Sequence, residues 1–104
     1  MNRIEQLQKM LELQPNDAFL LHALALENVK MEQWQAARKH WETLLAHQPS
    51  YVGAYYHLAK LYEVLGEANL ADETYQKGMQ VAKQAKDNHA YNELQAAWED
   101  FADA

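Results

Sequence analysis

An all-α fold of about six helices is what this sequence predicts, on three observations. The dipeptide Gln-Pro occurs at Gln14-Pro15 and again, thirty-four residues on, at Gln48-Pro49. Between and beyond these marks, apolar residues recur at intervals of three and four, the spacing of one helix face. Leu, Ala, Glu, Gln and Lys dominate a composition with only 3 Gly and 2 Pro, and all five are strong helix formers.

The first helix is predicted over 2–13, with Ile4, Leu7 and Leu11 on one face, and it ends before Pro15. The second covers 17–30; Asp17 is its N-cap and Leu20, Leu21, Leu24 and Ala25 face inward. The third, 33–47, aligns Trp34, Ala37, Trp41, Leu44 and Leu45 until Pro49 stops it. The fourth, 51–65, repeats the pattern of the second, and Gly66 suits the left-handed residue that closes a helix. The fifth, 67–86, turns Leu70, Ala71, Tyr75, Gly78, Met79 and Ala82 inward. A glycine in mid-helix costs about 1 kcal/mol relative to alanine, so Gly78 predicts a close pass by the following helix. The sixth, 88–102, is capped by Asp87 or Asn88 and carries Tyr91, Leu94, Trp98 and Phe101. No strand is expected, and Trp41, Leu58, Ala71, Tyr75 and Trp98 are the predicted core.

At 104 residues the chain is the size of one domain. Its net charge of −6, with 9 basic residues scattered along it, offers no phosphate-tracking stripe, so nucleic acid is not an expected partner. With no cysteine, disulfides, cysteine zinc sites and a cysteine nucleophile are excluded. The opening MNRIEQLQKM is too charged for a signal peptide. No run approaches the roughly 18 apolar residues of a membrane span, and a cytoplasmic protein without membrane attachment is expected.

Two helix pairs repeating at this interval resemble the tetratricopeptide repeat (TPR) family, including its small bacterial members. The family signature runs from a bulky residue through Leu, a small residue and an aromatic to Ala, an aromatic and Pro. The first unit matches it with Leu21, Leu24, Ala25, Ala37, Trp41 and Pro49, and the second with Tyr55, Leu58, Ala59, Tyr62, Ala71 and Tyr75. It departs at Asn28, where an aromatic is usual, at Glu32, where the second unit has Gly66, and at Lys83, where Pro would fall. The resemblance implies an α-α superhelix in a single domain over 1–104. Its parts are a half unit (1–15), units over 18–51 and 52–85, and a capping helix (88–102).

No catalytic motif is present: there is no phosphate loop, nucleophile elbow or HExxH. Asp72 and Glu73 read as solvated helix residues. His40 and His47 lie seven apart, about 10.5 Å of helical rise, too far for one metal without other ligands. No enzyme activity, cofactor or metal is expected. Tyr55 and Tyr56 are adjacent and cannot share a helix face; with Tyr55 packed inward, Tyr56 points outward. The resemblance implies a concave groove lined by first helices, which binds a protein or peptide partner. By position its residues are Phe19, His22, Leu26, Val29 and Lys30, then Tyr56, His57, Lys60 and Glu63, then His89, Asn92 and Glu99. Relatives that clamp acidic chaperone tails use Lys and Asn there. This chain has His22, Leu26 and His57 instead, so that activity is not carried over. The competing expectation is a homodimer, formed over an exposed face of Ile4, Leu7 and Met10.

Overall fold

The structure, a computed structural model, describes residues 2–104; Met1, in the predicted half unit, lies outside the described residues. Six helices follow in order: α1 (Arg3–Leu13), α2 (Ala18–Lys30), α3 (Trp34–His47), α4 (Gly53–Val64), α5 (Ala68–Gln84) and α6 (Asn88–Asp103). Each predicted helix is present, and no end differs by more than two residues. Among the described residues there is no strand, and no helix is long and apolar enough to cross a membrane. Two compact units result, one ending at Pro49 and one spanning Ser50–Ala104.

In the first unit α1 lies on α2, and α2 pairs with α3. Leu7 packs with Leu20 and Leu24, and Ile4, Leu11 and Ala23 border them. The expected exposed face of Ile4, Leu7 and Met10 is therefore corrected. The 3.6-residue period puts residues 4, 7 and 11 on one stripe, α2 covers it, and of the three only Met10 is exposed. Asp17 accepts the Leu20 N–H at 3.0 Å, as its N-cap role requires. The repeated Gln-Pro recurs in the backbone: Gln14 sits at φ −137°, ψ 73° and Gln48 at φ −139°, ψ 74°. Both leave the helical region, as residues before proline must.

Asn28, buried at 2% exposure, explains its departure from the family aromatic. Its amide donates to Gln33 Oε1 at 2.9 Å, and its Oδ1 lies 3.0 Å from His40 Nδ1. An amide oxygen only accepts, so His40 carries a proton on Nδ1. Asn28 thus joins the end of α2 to the start and middle of α3 by side-chain bonds.

In the second unit α5 packs against both α4 and α6. A Cβ on Gly78 would stand 2.6 Å from Tyr55 Cβ and 3.1 Å from Leu94 Cδ1. The close pass is therefore made first by the preceding helix α4, and by α6 second. Of the predicted core, Trp41, Leu58, Ala71 and Tyr75 are buried. Trp98 is half-buried instead: its indole N–H donates to Asp72 Oδ1 at 2.8 Å, which keeps the ring at the edge where α6 meets α5.

Three helices end in one device. Glu32, Gly66 and Lys86 all take positive φ, at 57°, 74° and 58°. After each, an N–H returns to the last turn: Gln33 to the Asn28 carbonyl, Glu67 to that of Tyr62, and Asp87 to that of Ala82. With the bonds from Glu32 to Val29, Gly66 to Glu63 and Lys86 to Lys83, these are three Schellman closures. Only the middle one has glycine, so the outer two hold an L side chain where it is strained.

Glu32→Gly is therefore expected to raise stability by about 1 kcal/mol in urea unfolding, and Gly66→Ala to lower it by a similar amount. No atom meets a Cβ at Gly66, so that loss is purely backbone. Gly78→Ala should cost about 1–3 kcal/mol by overpacking. A destabilised Glu32→Gly protein would contradict the left-handed closure.

Candidate functional site

The predicted site residues divide between the two units. On α4, Tyr56, Lys60 and Glu63 recur at four and three residues and form one stripe, with His57 beside it; all four are half-buried. Tyr55 points the other way and is core, as its adjacency to Tyr56 requires. The Tyr56 and His57 rings meet edge to face at 5.5 Å. Lys60 Nζ stands 5.9 Å from the Tyr56 ring centre and 3.7 Å from Glu63 Oε2. Glu63 also accepts the hydroxyl of buried Tyr75, on α5. Burial, then that bond and the Glu63 charge, push the Tyr75 phenol far above its ordinary range, so it stays a donor.

From α6, His89, Asn92 and Glu99 are exposed. Sequence reasoning passed over two α6 residues, Glu93 and Asp100. On α6 they flank the packed stripe of Leu94, Ala97 and Phe101 on the side opposite Trp98, which is tied to Asp72 of α5; theirs is the side towards α4, and the Glu93 charge pulls on His57. Their seven-residue spacing was a usable signal, since it returns to one side of a helix after two turns. Asp72, read as solvated, is instead the partly buried acceptor for Trp98.

The first unit carries Phe19, His22, Leu26, Val29 and Lys30, all on α2. Phe19 is 64% exposed and borders a shallow depression of about 390 Å³ with Met10, Leu13, Gln14, Asp17 and Leu20. His22 is not a spare surface residue: its Nδ1 accepts the indole N–H of buried Trp41 at 2.9 Å. An accepting Nδ1 carries no proton, so its tautomer is the opposite of that of His40. Leu26 and Val29 are half-buried. Lys30 pairs with Glu27 at 3.4 Å, and Arg3 reaches the same carboxylate at 3.5 Å. Among the described residues, no group of three or more His, Asp or Glu is arranged to hold a metal ion.

The solution structure of a tetratricopeptide repeat domain protein from Salinibacter ruber is similar to this chain. It is 39% identical, over 84% of this chain and 88% of that one, with a TM-score of 0.79. The chain belongs to the tetratricopeptide repeat family. A Bordetella parapertussis protein is 25% identical, over 98% of this TPR chain and 89% of its own, at a TM-score of 0.84. The TPR2B domain of yeast Sti1, solved in complex with pHsp70, reaches a TM-score of 0.88 over 96% of this chain and 80% of that one. At 17% identity it shares the fold alone. No protein-family model and no curated protein matches the chain.

Burial lowers the pKa of His57, against an opposing pull from Glu93, and burial and then Lys39 lower that of His40. Their folded pKa values thus lie below the unfolded value of about 6.5. Both contribute stability that is complete above that pH and is lost as pH falls through the folded pKa. The melting temperature is expected to fall between about pH 6.5 and 5, and His57→Gln should flatten that slope. A protein that gained stability over this interval would contradict the burial of both rings.

Proposed function

We propose that this TPR protein is an interaction module that takes a peptide or partner helix on the face formed by α4 and α6. The observation that carries this is the α4 stripe. Tyr56 holds a half-exposed ring between His57 and Lys60, while packing on that helix falls to Tyr55, Leu58, Ala59 and Tyr62. A rigid aromatic with apolar faces and a polar tip is a common interface anchor. The likeness to a TPR domain held in a complex supports the reading at the level of fold. The protein would work by binding, without chemistry of its own.

A photo-crosslinking amino acid in place of Tyr56 is expected to capture a discrete partner in the source cell, and one in place of Glu12 is not. With that partner, Tyr56→Ala should keep its melting temperature and lose about thirtyfold in affinity, the size of one anchor. Equal capture at both positions would remove the site from this face.

A second reading, self-association, draws on the first unit. Leu13 at 84% exposure, Met10 at 52% and Phe19 at 64% present apolar surface beside the depression on α1 and α2. Sedimentation velocity at several concentrations tests it: a rising sedimentation coefficient that Phe19→Ser abolishes would favour the dimer.

A further inference from the structure

We infer that the partner of the α4–α6 face is a basic segment, one bearing Lys or Arg, and that Glu93 and Asp100 select it. This rests on the reading of that face as a binding surface. Helix α6 carries Glu93, Glu99, Asp100 and Asp103, all exposed, and neither Lys nor Arg from Asn88 to Asp103. Helix α6 contacts α4, and its packed stripe of Leu94, Ala97 and Phe101 is flanked on one side by Trp98, tied to Asp72 of α5, and on the other, the side towards α4, by Glu93 and Asp100.

The α4 side does not balance them. Its one ammonium, Lys60, is paired with Glu63, and that carboxylate already accepts Tyr75. His57 is kept towards its neutral form by burial. The face therefore sets three carboxylates, Glu63, Glu93 and Asp100, against a single cation. An acidic partner would meet like charge, which discriminates strongly at an interface. A purely apolar partner would cover Glu93 and Asp100 without a counter-charge, and buried unpaired charge is costly. Only a cationic segment meets both carboxylates and lies against the Tyr56 ring, where a guanidinium or ammonium gains a cation–π contact. The chain's net charge of −6 draws such a segment in from a distance. Glu93 and Asp100 stand about 10.5 Å apart along the helix. That span suits basic residues seven apart on a partner helix or three apart on an extended strand.

The test is selection of a random dodecapeptide phage library on the immobilised protein, followed by affinity measurement on the peptides recovered. Peptides enriched in Lys and Arg are expected. Glu93→Gln/Asp100→Asn should weaken them about tenfold at low salt, while Glu12→Gln on α1 leaves them unchanged. Both altered positions are exposed, so the double variant is expected to melt like the parent, which a thermal melt checks. Neutral or acidic peptides that depend on Tyr56 would overturn this inference and leave the binding face standing. Basic peptides weakened equally by Glu12→Gln would reduce it to overall charge and also overturn it. Peptides indifferent to Tyr56→Ala would remove the face itself, and the inference with it.

Discussion

A buried aromatic ring that carries one polar atom must find that atom a partner, and the helix pairs of this protein are arranged around that requirement. Trp41 and Tyr75 are among its largest fully buried side chains. Left unpaired, an indole N–H or a phenol in the core costs about 1–3 kcal/mol. Each is answered from a neighbouring helix: Trp41 on α3 by His22 on α2, and Tyr75 on α5 by Glu63 on α4. Half-buried Trp98 on α6 is answered by Asp72 on α5. Three helix pairs therefore share one kind of tie, an aromatic on the later helix donating to a polar acceptor on the earlier. Among the described residues no buried side-chain nitrogen or oxygen is left without a partner.

These ties reach the surface. Glu63 is held by Tyr75 from below and draws Lys60 to it, and Lys60 then lies over Tyr56. The α4 stripe is thus held in one arrangement, and in the binding proposed here that order lowers the entropy lost. The same economy constrains His22, whose Nδ1 must stay unprotonated to receive Trp41. A residue that position alone marks as groove-lining is in this chain an internal acceptor.

The fold was legible because repeats announce themselves through spacing. Pro15 and Pro49 fall at equal phase, and the small residues Ala25, Ala37, Ala59 and Ala71 are all buried without remainder. Periodicity says which way a side chain points, and for Tyr55 against Tyr56 that was enough. It does not say what a polar tip will find. The acceptor roles of His22, Glu63 and Asp72 depend on partners 19, 12 and 26 residues away in the chain. The Asn28 network was hidden for the same reason: the site reads as a missing aromatic until Gln33 and His40 are brought to it. The left-handed Glu32 and Lys86 carry no glycine to betray them, and the spacing of Glu93 and Asp100 puts them on one side of α6 without telling that α6 lies beside α4.

The claim on which the rest stands is that a core aromatic holds the α4 stripe in place through Glu63. A double-mutant cycle of Tyr75→Phe and Glu63→Gln, read by urea unfolding, measures it directly. A charge-assisted bond of this kind predicts a coupling of about 1–3 kcal/mol between the two sites. Additive losses, with coupling indistinguishable from zero, would contradict it.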